Sequence, residues 1–291
     1  MITVRMQGGI GNQMFQYAVA RHLALRNKTK VQFDLNYYSK GGVSDNATAN
    51  CRPFEIARFA LEGPVVPDRF TALYQRSLYA VARRLPERIK PIFGKIYWEP
   101  RHTFDPRVLE LGSHTHLIGY FQCEMYFIAI EAIIREEFQL RDRSLADKIS
   151  TVVGNLRKAN RTLVSVHVRR GDYLTVKPDG SLLVPLAKIL RAMARFNNSD
   201  FLIFSDDLSW CHDHIRGDNV HFSPFSNAVE DLIAMSNCDH HIIANSSFSW
   251  WGAWLNPRRD KIVIAPVNWS HPGSDEPGDI SCVYPAGWQR M

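Results

Sequence analysis

Cysteine is scarce in this sequence and shows no pairing pattern. The 291 residues include five cysteines, an odd number, and none form a C-x-x-C pair. This argues against a disulfide framework and a cysteine zinc site, and it favours reduced thiols in a cytosolic protein. They are Cys51, Cys123, Cys211, Cys238 and Cys282.

Long hydrophobic runs are also missing. No stretch of about 18 apolar residues is present, so we expect no membrane-spanning helix. The sequence starts with a strand pattern at residues 2–6, and we expect no signal peptide and a cytoplasmic location. With 45% hydrophobic and 22% charged residues, the composition is that of a globular protein with a real core.

Acidic residues are the minority, with 29 Asp and Glu against 35 Lys and Arg, for a net charge of +6. A basic protein suits nucleic acid, an anionic membrane or a phosphorylated substrate. No nucleic-acid-binding motif is present, so we predict no nucleic-acid partner. Between Pro53 and Lys95, basic residues alternate with apolar ones. This pattern predicts either peripheral contact with an anionic inner-membrane surface or the solvated face of a packed helix. The residues are Arg76, Arg83, Arg84, Arg88 and Lys90, among Leu78, Tyr79, Val81, Leu85 and Ile89.

Clusters with metal-ligand spacing are absent as well. Asp206 and Asp207 end a predicted strand, but one adjacent carboxylate pair is weak evidence for a metal. His212 and His214 would point to different faces of a helix. We therefore predict no metal site. Asp207 is expected to cap the following helix, which leaves Asp206 freer to contact a hydroxyl.

Strand and helix patterns alternate along the chain, most regularly in the second half. This predicts an α/β fold with parallel sheets and right-handed crossovers. We expect domains at 1–150 and 151–291. Predicted strands are 2–6, 30–34, 96–98, 116–121, 163–168, 201–205, 240–244 and 261–265, and predicted helices are 12–26, 124–138, 184–196, 228–236 and 248–255.

Charged residues follow the buried strand pattern at 163–168. Because side chains alternate along a strand, His167 and Arg169 should share one face at its end. A guanidinium fork matches phosphate oxygens in a bidentate way. Arg170 lies on the opposite face, where we expect it to pair with a carboxylate such as Asp172. Solvated arginines at a strand end are the alternative interpretation.

Glycines separate the first strand from the first helix. Gly8, Gly9 and Gly11 allow close backbone approach to a ligand, and Asn12 is positioned to cap the helix. A strand, a glycine loop and a helix start together favour an anion or sugar site. The spacing fits neither G-x-G-x-x-G nor a Walker loop. A tight turn without a ligand is the alternative.

A second hydroxyl-rich turn precedes the helix at 248–255. Ser246, Ser247 and Phe248 follow a strand and open a helix, which suits a diphosphate. The alternative is a helix cap beside the buried pair Trp250 and Trp251.

His167–Asp172 resembles the signature of fucosyltransferases that use GDP-fucose. Together with Gly8–Ala18 it resembles the bacterial α1,2-fucosyltransferases of glycosyltransferase family 11, over a span from Gly8 to about Asn256. The resemblance implies a GT-B fold, in which two Rossmann-like domains face each other across a cleft. Domain 1–150 would lie on the acceptor side, and domain 151–291 would bind GDP-fucose.

The same resemblance, together with the absence of clusters with metal-ligand spacing, predicts a function without metal or cofactor. L-Fucose would move with inversion from GDP-β-L-fucose to the 2-hydroxyl of a terminal galactose, on an oligosaccharide or a glycolipid-linked glycan. Arg169 would stabilise the leaving GDP. The resemblance does not assign a base for the acceptor hydroxyl, for which Asp172, Asp206 and a carboxylate of the first half are the candidates. Asn12 is counted with Arg169 and Asp172 as catalytic.

The donor-binding residues follow from the same motifs. The family's glycine loop faces the donor, and its serine motif contacts the diphosphate. More distant fucosyltransferases that act on N-glycans carry an Asp that contacts guanine, at the same spacing from the serine pair as Asp231. A charge in the first turn of the helix is the alternative interpretation of Asp231. His167 would meet the guanine or the ribose. The predicted donor-binding set is Gly9, Gly11, Gln13, His167, Asp206, Asp231, Ser246, Ser247 and Phe248.

Two other functions stay open. An α1,6- or protein O-fucosyltransferase shares the arginine signature. A non-catalytic sugar-binding module needs no diphosphate site, so tight GDP binding would count against it.

Overall fold

A computed structural model describes residues 1–39, 53–67, 69–82, 84, 96–100, 103–269 and 282–291. The chain forms two compact units. The first is Met1–Gln139 with Gly278–Val283, and the second is Leu140–Pro277 with Tyr284–Met291. The first unit ends at Gln139, earlier than the domain boundary that we expected between residues 150 and 151. The reason is that helix Arg143–Asn155 packs against helix Ala228–Ser236 of the second unit.

The first unit is built on a four-stranded sheet in the order β2-β1-β4-β3, and its described strand pairs are all parallel. Ile2 and Val4 of β1 are fully buried, as the strand pattern predicts. The strands are shorter than predicted by up to three residues at their ends. They are β1 Ile2–Arg5, β2 Val31–Asp34, β3 Ile96–Trp98 and β4 His116–Ile118.

The first long helix, α1, spans Ile10–Arg26 and buries the predicted face of Phe15, Val19 and Leu23. The predicted helix at 124–138 is wrong over its first half. Phe127 takes φ −143° and ψ 1°, outside the helical region, while its ring packs 6.1 Å from that of Phe15. The segment therefore forms 3₁₀ turns Glu124–Tyr126 and Ile128–Ile130 before α4. The remaining elements are α2 Asn36–Ser39, α3 Arg69–Ala82, α4 Glu131–Glu137 and 3₁₀ turns Ile56–Arg58 and Pro106–Glu110.

The second unit contains a six-stranded parallel sheet in the order β10-β9-β8-β5-β6-β7. From β5, the strands β6 and β7 extend to one side, whereas β8, β9 and β10 extend to the other. This is the Rossmann order, and its topological switch point lies between β5 and β8. The strands are β5 Thr162–Val168, β6 Ser199–Ser205, β7 Val220–Phe222, β8 His240–Ile242, β9 Val263–Ala265 and β10 Gln289–Arg290.

Helices cover both faces of this sheet. Val164, Val166 and Val168 point into a core that includes Ile189 and Cys211. The opposite face of β5 meets the helix that carries the fully buried Trp250 and Trp251. The helices are α5 Arg143–Asn155, α6 Gly171–Val176, α7 Leu186–Met193, α8 Leu208–His214, α9 Ala228–Ser236 and α10 Ser247–Leu255.

Among the described residues, none of the helices has the length and apolar character needed to cross a membrane. The four cysteines that the structure describes, Cys123, Cys211, Cys238 and Cys282, form no disulfide bonds. Cys51, Arg83 and residues 85–90 of the basic segment lie outside the described ranges.

Candidate functional site

Two of the predicted motifs meet at the switch point of the second unit. Arg169 follows the last residue of β5, and Ser246 precedes α10 just beyond the end of β8. Ligands of open α/β sheets bind outside the carboxyl ends of the strands, at the point where the strand order reverses. The Rossmann order thus places both motifs where such a fold binds its ligand.

The Arg169 guanidinium lies between two carboxylates. Its Nη2 donates to Oδ1 of Asp172 at 2.5 Å, and its Nη1 lies 2.8 Å from Oδ2 of Asp206. The guanidinium also lies 5.5 Å from the centre of the Tyr173 ring. These contacts fix the direction of the guanidinium at the edge of the sheet.

Arg170 pairs with a carboxylate, as predicted, but the partner is Asp207 and not Asp172. Its Nε donates to Oδ2 of Asp207 at 3.0 Å, and its guanidinium stacks 3.8 Å above the Trp210 ring. The reason is that α6 begins at Gly171, which turns Asp172 back towards Arg169, three residues earlier. Arg170 does point away from the Arg169 side, as strand alternation predicts.

Asp206 is not the freer carboxylate of its pair. Besides its contact with Arg169, its Oδ1 accepts a hydrogen bond from the Arg170 amide at 2.9 Å. This close approach requires Gly171, because a Cβ there would lie 2.6 Å from Oδ2 of Asp206. The Asp207 cap is confirmed, since its side chain accepts from the Trp210 amide at 3.2 Å.

His167 is buried behind Arg169. Its Nδ1 lies 2.9 Å from Oγ of Ser249, and its ring lies 5.3 Å from that of Phe248. Burial, with a smaller effect of the nearby Arg169, lowers the pKa of His167 to about 3. The imidazole is therefore neutral at physiological pH and offers hydrogen bonds rather than charge.

The turn before α10 is joined to α6. The Tyr173 hydroxyl donates to the carbonyl oxygen of Asn245, one residue before Ser246. Ser246 takes the N-cap position without a capping hydrogen bond from its side chain. Ser247 and Phe248 form the first turn of α10, whose amides and dipole favour an anion.

Asp231 lies at the start of α9, beyond the end of β7. Its Oδ1 accepts a hydrogen bond from the hydroxyl of Ser223. Burial, and then the neighbouring Glu230, raise the pKa of Asp231 to about 6. Because Ser223 directly follows β7, the second strand from β5, Asp231 lies at the carboxyl end of β7.

The glycine loop belongs to the first unit. Gly8 has φ +78°, and a Cβ there would lie 2.6 Å from Nδ2 of Asn12. The predicted Asn12 cap is wrong, because α1 begins two residues earlier with Gly9 at the N-cap and Gly11 in the first turn. Asn12 instead accepts a hydrogen bond from Nε2 of Gln122 at 2.8 Å.

Gln13 uses its whole side-chain amide within the first unit. Its Nε2 donates to the carbonyls of Gly8 at 3.1 Å and Pro53 at 2.8 Å. Its Oε1 accepts from the amides of Glu55 at 3.0 Å and Ile56 at 3.1 Å. A primary amide makes four hydrogen bonds, so Gln13 holds the loop in place and has none left for a donor sugar.

Three partners of the site were not predicted from the sequence. Ser249 contacts His167, and Ser223 donates a hydrogen bond to Asp231. Tyr173 donates a hydrogen bond to the turn before α10. Ser249 could have been found from the helical register, because it follows Ser246 by three residues. The described residues contain no group of three His, Cys, Asp or Glu side chains placed to hold a metal ion.

A cavity of about 250 Å³ adjoins Arg169 and Arg170, on the opposite side of β5 from His167. Its lining is mainly apolar and comes from the end of β5, the loop before α7, α7 itself and α8. The residues include Val168, Leu183, Val184, Leu186, Ile189 and Trp210.

The model of glycosyl transferase family 11 matches residues 93–289. An α-1,2-colitosyltransferase of Escherichia coli is 31% identical over 286 residues, which cover 92% of each chain. This chain belongs to glycosyl transferase family 11. The family member is also similar to the O-antigen biosynthesis glycosyltransferase WbnK of Escherichia coli, at 29% identity over 91% of this chain and 93% of that one. Human galactoside α-(1,2)-fucosyltransferase 1 is 31% identical over 53% of this chain and 46% of its own length.

Solved structures show the fold of this family 11 glycosyltransferase. Fucosyltransferase NodZ from Bradyrhizobium aligns with a TM-score of 0.53 at 16% identity, over 94% of this chain and 96% of that one. NodZ α-1,6-fucosyltransferase co-crystallised with GDP aligns with a TM-score of 0.52 at 15% identity, over 86% and 91%. The predicted α/β, GT-B-like fold class is confirmed.

Proposed function

We propose that the protein transfers L-fucose from GDP-β-L-fucose to the 2-hydroxyl of a terminal galactose, with inversion. The observation that carries this proposal is the convergence of Arg169 and the N-terminus of α10 at the switch point of a Rossmann sheet. The names of the relatives support the α1,2 linkage, and GDP in a NodZ structure supports the nucleotide.

The proposed nucleotide site runs along the carboxyl edge of the second sheet. Asp231 would accept the N1–H and N2–H donors of guanine as a pair. The diphosphate would lie on Arg169 and the first turn of α10, about two strand spacings away. The neutral His167 would donate or accept a hydrogen bond beside Phe248, towards the ribose or the base.

Cleavage of the sugar–phosphate bond increases the negative charge on GDP. A guanidinium held in place and the amides of a helix N-terminus stabilise such charge without reorganisation. Arg169 is held by Asp172 and Asp206, so its direction is set before the donor arrives. We propose that this arrangement serves in place of a metal ion.

The acceptor hydroxyl must lose a proton during transfer. Asp172 lies beside Arg169 at the same strand end, so we propose Asp172 as the group that accepts it. The oxocarbenium character of glycosyl transfer keeps the demand on such a base small.

The apolar cavity beside Arg169 suits a 6-deoxy sugar, whose C6 is a methyl group. L-Fucose fits this description, and so does colitose, which lacks the 3-hydroxyl of fucose as well. The 31% identity to an α-1,2-colitosyltransferase makes GDP-colitose the second candidate donor.

The test is transfer to a panel of β-galactosides with GDP-fucose and GDP-colitose in competition. We expect α1,2-linked fucose as the product, in excess EDTA as well as without it. Loss of activity in EDTA with rescue by Mn²⁺ or Mg²⁺ would contradict the metal-free mechanism. A preference for GDP-colitose would assign the second donor.

A further inference from the structure

Helix α3 carries large apolar side chains on its outer face. Phe70 is 85% exposed, Leu73 61%, Tyr74 65% and Val81 48%. At 100° per residue these four lie within one stripe along the helix, which we call the α3 stripe. Contiguous exposed apolar side chains of this kind mark an interaction surface.

The opposite face of α3 is already in use. Gln75 is buried, and Leu78 and Tyr79 pack with Trp98 against the buried Ile96 and Ile118. Leu78 and Tyr79 therefore do not belong to the outer surface, contrary to the amphipathic pattern in the sequence. The sheet fixes the helix by this inner face and turns the α3 stripe outward.

Basic residues accompany the α3 stripe. Arg69 and Arg76, seven residues apart, lie on one flank of the helix, and both are exposed. Arg84 follows the helix and is also exposed. Residues 69–82 include no Asp or Glu.

We propose that α3 binds the surface of an anionic lipid bilayer. Phenylalanine, leucine and tyrosine side chains on one face, with arginines beside them, are typical of helices that lie in the membrane interface. Each arginine near such a surface strengthens binding by about fivefold. The proposal rests on α3 alone and does not depend on the proposed function.

A second copy of the chain fits this surface less well. Two α3 stripes packed against each other would bring the rows of Arg69 and Arg76 together without an acid in either helix. Like charges placed in this way repel. Lipid phosphates supply the opposite charge that the helix lacks.

Vesicle co-sedimentation tests the proposal with the whole chain. Vesicles of phosphatidylcholine alone are compared with vesicles that also contain phosphatidylglycerol. The variant Leu73→Ser/Arg76→Glu alters the surface. The matched control, Leu190→Ser/Arg191→Glu, makes the same changes on α7, where Leu190 is 41% exposed.

We expect the wild type and the α7 control to bind only the vesicles with phosphatidylglycerol, and salt to weaken this binding. The α3 variant should bind at least about 25-fold more weakly. Replacing Arg76 with glutamate removes one attractive charge and adds one repulsive charge, and each change weakens binding by about fivefold. Its melting temperature should not change, because both side chains are exposed. If it does fall, Phe70→Ser repeats the test at the most exposed position.

Three outcomes would overturn the proposal. In the first, the wild type fails to bind, or binds both kinds of vesicle equally. In the second, the α3 variant and the α7 control lose binding to the same extent. In the third, sedimentation equilibrium shows a wild-type dimer that the α3 variant abolishes, which would assign the surface to a second copy.

Discussion

The two units end their central strands with very different chemistry. In the first unit, the loops after β1 and β4 are joined by neutral amides, such as the bond between Asn12 and Gln122. In the second unit, β5 ends in a cluster of Arg169, Asp172 and Asp206. The same strand–loop–helix pattern therefore holds a neutral hydrogen-bond network in one unit and a charged cluster, which we propose binds the donor's diphosphate, in the other.

A buried acid strengthens the scaffold of the first unit. Glu99 follows β3 and accepts hydrogen bonds from the amides of Tyr120 at 2.6 Å and Phe121 at 3.1 Å. Phe121 takes φ +53°, a conformation uncommon for a residue other than glycine. Burial raises the pKa of Glu99 to about 7. This carboxyl fixes the turn that carries Gln122.

The largest effect should come from Arg169→Lys. The lysine keeps a charge but loses the planar fork, so turnover should fall by about 10²–10³ while the fold stays intact. The matched change Arg161→Lys, at the opposite end of β5, where Arg161 pairs with Asp200, should keep most of the activity. If Arg169→Lys keeps more than about a tenth of wild-type turnover, Arg169 does not stabilise the leaving group.

Gln13→Ala should show that the glycine loop is a scaffold. The change leaves the carbonyls of Gly8 and Pro53 and two amides without their partner, and each buried orphan costs about 1–3 kcal/mol. We expect a loss of about 3 kcal/mol or more in the free energy of unfolding, measured with urea, and an unchanged affinity for GDP. Normal stability combined with weak GDP binding would instead make Gln13 a donor contact.

Asp231→Asn should reduce the preference for GDP over ADP by about 1–3 kcal/mol, because one guanine donor then faces an NH₂ group. Calorimetric titration with both nucleotides measures this. In the wild type the preference should fade as pH falls through the Asp231 pKa of about 6, and in the variant it should not depend on pH in this range. If the wild type and Asp231→Asn prefer GDP over ADP equally, Asp231 does not contact guanine and is only a charge at the start of the helix.

The same residue also predicts how stability changes with pH. The pKa of Asp231 is higher in the folded protein than the ordinary value of an aspartate, so the folded state binds this proton more tightly. Its contribution to stability is complete below about pH 4 and is lost as pH rises through about 6. Asp231→Asn should remove this part of the pH dependence, as thermal melts across this range would show.

Asn12→Ala should have the smallest effect. It removes one hydrogen bond with Gln122, worth about 1 kcal/mol of stability. Asn12 belongs to the first unit, whereas the proposed GDP-binding groups all belong to the second. GDP affinity should therefore stay near wild type, and turnover should fall by much less than in Arg169→Lys. Normal turnover at lowered stability would remove Asn12 from catalysis.

Sequence periodicity predicted the second unit well, because local patterns set its strands and helices. Helix Ala228–Ser236 begins and ends where predicted, and the motif residues after β5 and β8 lie at one edge. The two-residue strand β10 carries too little pattern to be detected. Gln13 makes its hydrogen bonds with residues such as Pro53 and Glu55, some 40 residues away in the sequence. No local sequence pattern predicts such contacts.

The pairing of the two arginines shows a second limit. The alternation of side chains along β5 correctly predicted that Arg169 and Arg170 point to opposite sides of the strand. The prediction of their partners failed because it assumed that the strand continued. The start of α6 at Gly171 exchanged the partners, so Asp172 joined Arg169. A turn of this kind is held by Asp206, just beyond the end of the neighbouring strand β6, and therefore by tertiary structure.

The most direct test of the account is the product itself. The purified protein is incubated with GDP-β-L-fucose and a β-galactoside, and the glycan is examined by NMR. We expect fucose in α linkage to O2 of galactose, with one GDP released for each bond formed. Fucose on another hydroxyl, or GDP-fucose hydrolysis without transfer to any β-galactoside, would contradict it.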